Sequence, residues 1–69
     1  MEEKQFKPEC QLIGQDGNIF NLIAIARRTL KEHGLNEQAE EMYSRIVGKG
    51  EADSYGAALN IIGEYVEIT

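Results

Sequence analysis

The chain predicts an α+β fold that is mostly helical: three helices packed beside a short two-stranded ribbon made by the two chain ends (β-α-α-α-β). Three observations predict it. A dense apolar stretch between Asp16 and Leu35 recurs at helical spacing, Ile19, Leu22, Ile23, Ala26 and Leu30 falling on one face. Two further segments with narrower apolar stripes follow, each opened by a capping residue. Short apolar runs, Cys10–Ile13 and Tyr65–Ile68, stand at the two ends, and an isolated strand would leave its backbone groups unpaired.

Taken in order, Met1 to Glu9 is polar and of mixed charge, and reads as a flexible N-terminal segment (residues 1–9) ahead of a single small domain (residues 10–69). Cys10-Gln11-Leu12-Ile13, bounded by Pro8 and Gly14, is too short for a helix and suits a brief strand. The turn residues Gly14 to Asn18 join it to the central helix, with Asn18 as N-cap. Phe20, Ala24 and Ile25 widen the apolar face of that helix until little of its opening turns is polar, so cover on more than one side is expected. Its last two turns carry Arg27, Arg28, Lys31 and His33, cations that complement the C-terminal dipole. Gly34 followed by Leu35 predicts a Schellman termination.

Asn36 is placed to cap the second helix, with Glu37, Glu40 and Glu41 in its opening turns. Ala39, Met42, Tyr43 and Ile46 form its inner stripe, Val47 lies beside them, and Gln38, Glu41 and Arg45 face solvent. Gly48-Lys49-Gly50 ends it. The third helix begins near Asp53 or Ser54 and turns Tyr55, Ala58, Leu59 and Ile62 inward. Gly56 and Gly63 weaken it unless they permit close packing or mark its end. The positions of Tyr43, Tyr55 and Tyr65, in the core or on a contact surface, are left open by the pattern.

Length and charge restrict function. A chain of 69 residues has a thin core, burying only about 60% of its unfolded surface, so completion of that core by a second copy is one expectation. A net charge of −5 argues against general nucleic-acid binding, which draws most of its affinity from Lys and Arg on phosphates. The single Cys10 excludes an internal disulfide and a Cys-rich zinc site. No apolar run reaches the ~18 residues of a membrane span, and the N-terminus has no apolar signal core. A cytoplasmic setting without membrane attachment is expected.

Candidate chemistry is sparse. Asp16-Gly17-Asn18 lacks the alternating oxygen ligands of a calcium loop and reads as a turn with a cap. Gly48-Lys49-Gly50 lacks the earlier Gly, the following Ser or Thr and the preceding strand of a phosphate loop. Cys10 and His33 do not make a four-ligand metal site, and the chain is too short to build a normal substrate cleft around a Cys–His pair. No catalytic residue, metal site or cofactor is assigned, and the protein is expected not to be an enzyme. What remains is the cationic group Arg27, Arg28 and Lys31, either a solvated helix end bridged to Glu37, Glu40 or Glu41, or a docking patch. Arg28 can also pair with Glu32. Another protein is the expected partner, and a small nucleic-acid-binding regulator using the same three residues is the alternative.

The run Leu12-Ile13-Gly14-Gln15-Asp16-Gly17-Asn18-Ile19-Phe20, the helix with Arg27, Arg28 and Leu30 ending at Gly34, and the closing Tyr65-Val66-Glu67-Ile68 resemble a group of small uncharacterised bacterial and phage-type proteins. Their pattern is Leu-Ile/Val-Gly-x-Asp-Gly-Asn-x-Phe with a closing aromatic-Val-Glu-Val/Ile stretch. The middle, Asn36 to Asp53, carries no part of it. The resemblance implies a small cytoplasmic protein of bacterial or mobile-element origin, and it implies no activity.

Overall fold

A computed structural model describes residues 7–69. The chain runs β1 (Glu9–Cys10), α1 (Ile19–Glu32), α2 (Asn36–Tyr43), a π-helical turn (Ser44–Gly48), α3 (Tyr55–Tyr65) and β2 (Glu67–Ile68). This is the expected β-α-α-α-β order, with the two chain ends paired. The pairing is parallel, Glu9 opposite Glu67 and Cys10 opposite Ile68.

Both strands are shorter than the apolar runs suggested. The Glu67 N–H donates to the Pro8 carbonyl and the Thr69 N–H to the Cys10 carbonyl, so the ladder begins earlier than Cys10. Leu12 and Ile13 then both donate to the Thr69 carbonyl, which folds the chain out of the ladder before the turn at Gly14. Tyr65 stays in α3 rather than joining the strand, and Val66 is the C-cap. Pro8 is buried and Glu9 pairs in β1, while residues 1–6 of the expected flexible segment lie outside the described residues.

The helix ends follow local chemistry. The Asn18 side chain accepts from the Phe20 N–H at 2.9 Å, and Asp16 accepts from the Asn18 N–H, a self-bonded turn leading into α1. At the other end Leu35 N–H donates to the Leu30 carbonyl and Gly34 N–H to the Lys31 carbonyl, the two bonds of a Schellman motif. Gly34 holds φ +75°, with nothing within 4 Å of where a Cβ would sit. Gly34→Ala therefore meets no clash and costs only the left-handed backbone, about 1–2 kcal/mol. A denaturant midpoint unchanged by Gly34→Ala would contradict this cap.

Asn36 is not the cap of α2. Leu35 occupies that position, its carbonyl accepting from Ala39 N–H with no side-chain capping bond, because the Schellman turn runs straight into the next helix. Ser54 does cap α3, accepting from Ala57 N–H.

The core is a single cluster under α1: Leu22, Ile23, Ala26 and Leu30 meet Ala39, Met42 and Ile46 on one side and Ala58, Ile61 and Ile62 on the other, with Cys10, Leu12 and Val66 closing the base. Ala26 and Ala39 are fully buried and carry no side chain beyond Cβ, which allows α1 and α2 to approach closely. Arg45, expected to face solvent, instead bridges elements. Its Nε donates to Glu51 at 2.9 Å and its Nη1 to Glu64 at 2.7 Å and to the Tyr65 hydroxyl at 3.1 Å. These partners, Glu64 first, hold its pKa above the usual guanidinium range. Local periodicity assigns a face to Arg45 but not partners six to twenty positions away.

Candidate functional site: an exposed apolar groove and cationic group beside α1

α1 is more apolar than one-sided burial requires, and the structure does not cover the excess. Phe20 is 68% exposed, and Ala24 beside it is also exposed. This corrects the expectation that neighbouring elements wrap the helix. Val47 (41% exposed), in the π-helical turn, and Tyr55 (48% exposed), at the start of α3, stand with Phe20 around a groove of about 270 Å³. Its floor is Ile23, Ile46 and Ala58. The π-helical turn, closed by Lys49 N–H to the Ser44 carbonyl, sends Ile46 into the core while Val47 faces out.

Tyr55 is held as one wall by its hydroxyl, which donates to the Gly17 carbonyl at 2.8 Å. Beyond it a second hollow of about 300 Å³, lined by Leu12, Leu22, Leu59 and Ile68, has Ile13 on its rim at 71% exposure. Tyr55 lies on this surface, Tyr43 is a half-exposed platform, and Tyr65 is tied to Arg45.

Further along the same side of α1 lie the three cations singled out in the sequence. Arg27 Nη2 contacts both carboxylate oxygens of Glu40, at 3.0 and 2.9 Å, and Lys31 Nζ lies 3.0 Å from the same group. Glu40 thus sits between two like charges spaced i, i+4, which would otherwise repel. Lys31 first and Arg27 second hold the Glu40 carboxyl below its usual range. The Arg27 guanidinium also lies over the Tyr43 ring, Cζ 4.7 Å from the centroid. Arg28 is exposed and has no ion pair among the described residues, Glu32 included.

The geometry therefore brings all three cations to one stretch of α1, two of them joined through Glu40 and the third open to solvent. Glu40 thus offsets Arg27 and Lys31, and the exposed carboxylates of Glu32, Glu37 and Glu41 lie on the same stretches of α1 and α2. His33 lies past this group at the C-cap, its Nδ1 2.9 Å from the Thr29 carbonyl. Cys10 is buried and accepts from the Thr29 hydroxyl at 3.5 Å.

Phe20 and Val47 were absent from the sequence-derived site. The signal for them in the sequence is the surplus of apolar residues on α1, which periodicity alone assigns to the core.

Among the described residues no group of three His, Cys, Asp or Glu side chains is placed to hold a metal, and no helix is long and apolar enough to cross a membrane. Comparison with protein-family models, with curated proteins and with solved structures returns no match.

Proposed function

We propose that this chain is a small non-enzymatic accessory module that binds another protein, and that it works in the cytoplasm of a bacterium or from a mobile element. The last part is supported by the resemblance of Leu12–Gly34 and of the closing residues to small bacterial and phage-type proteins. The observation that carries the rest is Phe20. A phenylalanine 68% exposed on the rim of an apolar groove costs solubility and gives the fold nothing in return. Aromatic side chains anchored beside apolar pockets are what protein interfaces draw most of their binding energy from.

The alternative, a nucleic-acid-binding regulator, draws on Arg27, Arg28 and Lys31. Glu40 offsets part of their charge, and no row of cations extends the patch among the described residues. Phosphate binding gains roughly one released counterion per neutralised phosphate, so a patch in which Arg27 and Lys31 are already bridged to Glu40 supports only weak affinity.

Affinity capture from cells that express the chain natively separates the readings. The parent should retain a protein that Phe20→Glu loses, and reversal of both Arg27 and Arg28 to Glu should weaken its retention. All three chains should melt cooperatively. Tight binding of the purified parent to DNA or RNA that falls steeply with added salt would favour the regulator instead. Retention unaffected by Phe20→Glu would remove the groove from the account.

A further inference from the structure

We infer that residues 51–54 form a strap that widens and narrows the apolar groove, with the contact between Arg45 and Glu51 as its latch. That this motion governs access to the groove rests on the protein-interaction reading. The strap itself rests on geometry. The groove has four walls: α1 with Phe20, the π-helical turn with Val47, α3 with Tyr55, and the strap with Ala52. Helical backbone holds the first three, and residues 51–54 belong to no helix or strand.

Gly50, at φ +67°, turns the chain back after the π-helical turn, so that Glu51 meets Arg45 twice. The Glu51 N–H donates to the Arg45 carbonyl at 2.9 Å, and the Glu51 carboxylate accepts from Arg45 Nε at 2.9 Å. Past this clasp the strap has a single apolar side chain, the partly buried Ala52, before Ser54 caps α3. Asp53 is exposed. A segment with so few buried contacts opens at a lower free energy than the core beneath it.

The two halves of the latch are unequal. Arg45, with its side chain 24% exposed, keeps Glu64 at 2.7 Å and the Tyr65 hydroxyl at 3.1 Å when Glu51 leaves. Glu51 is 41% exposed and moves directly into water. Opening therefore strands no buried charge, the event that makes most broken ion pairs costly. An exposed pair also adds little to the closed state. Gly50 is the hinge and Ser54 the fixed far end. Lifting the strap takes Ala52 from the groove and leaves the other three walls standing.

Hydrogen exchange on ¹⁵N-labelled full-length protein tests the strap. The Glu51 amide should exchange by a local opening insensitive to low denaturant, while Leu30 in α1 should follow global unfolding. Glu51→Gln should speed exchange at position 51, corrected for side-chain type, about two- to five-fold. Added salt should do the same to the parent and little to the variant. Gly50→Ala meets open space but a strained backbone, and should speed the Glu51 amide about ten-fold. The methyl resonances of Ala52 and Ala58 should move in step with these rates, and that of Ala39, between α1 and α2, should stay fixed.

An identical denaturant dependence for Glu51 and Leu30 in the parent would overturn the strap, whether or not the variants fold. Faster exchange at Glu51 with Ala58 unmoved would overturn its link to the groove. Both readouts come from the isolated protein. Failure of the protein-interaction reading, seen as partner capture indifferent to Phe20→Glu, is thus distinguishable from failure of the strap.

Discussion

Ile23→Asp should leave no cooperative melt. Ile23 is 2% exposed and belongs to the cluster in which α1 meets the other two helices. The substitution removes a buried aliphatic side chain, worth about 1.5–3 kcal/mol. It also places a polar group there without a partner, at a further cost of roughly 2–7 kcal/mol. A chain of this length has a total stability of only about 3–10 kcal/mol, at 0.05–0.15 kcal/mol per residue. The sum removes most or all of it. Ala24→Asp is the control, one position along α1 but exposed, and should cost no more than about 1 kcal/mol, chiefly the lower helix propensity of Asp. Circular dichroism melts of both variants give the comparison. A parent-like transition for Ile23→Asp would mean that the carboxylate reaches water through the groove, and that the groove floor is open rather than packed.

Met42→Ala should be the most damaging of the mild core truncations. Met42 has no exposed surface, and it is the largest α2 side chain in the core, between the fully buried Ala39 and the end of the helix. Ala39, one turn before it on α2, has no long side chain with which to refill the space. Cavities of this kind cost about 2–5 kcal/mol, the upper end applying where the surroundings do not collapse. At ~4–8 °C per kcal/mol for a domain of this size, the melting temperature should fall by at least about 8 °C. Met42→Leu, of similar volume, should lose far less. Equal losses for Ala and Leu would show that shape rather than volume governs this site.

These two positions differ in how plainly the sequence marks them. Ile23 sits in the i, i+3, i+4 pattern of α1, and a pattern of that strength predicts burial whatever the tertiary arrangement. The Gly34–Leu35 cap and the Asn18 cap are equally local, since each is settled by bonds within five residues. What depends on long-range partners is less visible. The ladder's exact bounds and the bridging of Arg45 to Glu51 and Glu64 follow from which elements meet, and periodicity does not carry that.

Phe20 is the informative case. Its type and spacing suit a core face, and burial was the natural expectation. In the fold, α2 and α3 cover the Leu22–Ile23–Ala26–Leu30 side, and among the described residues no further element reaches Phe20. A 69-residue chain has too few elements to surround a helix. The surplus apolar surface on α1 is therefore left exposed rather than added to the core. The cationic group was visible directly, as charges clustered against an acidic background, but its link through Glu40 to α2 was only one of three carboxylates weighed.

The claim on which the account rests is that the Phe20 side of the molecule meets another protein. Site-specific photocrosslinking in cells that express the chain natively tests it most directly. A benzophenone side chain in place of Phe20 is compared with one in place of Asn60, an exposed position on α3. The account predicts one discrete crosslinked protein from position 20, absent from position 60, and lost when Arg27 and Arg28 are both reversed to Glu. Crosslinks of equal yield from both positions, or products from position 20 that consist only of nucleic acid, would contradict it.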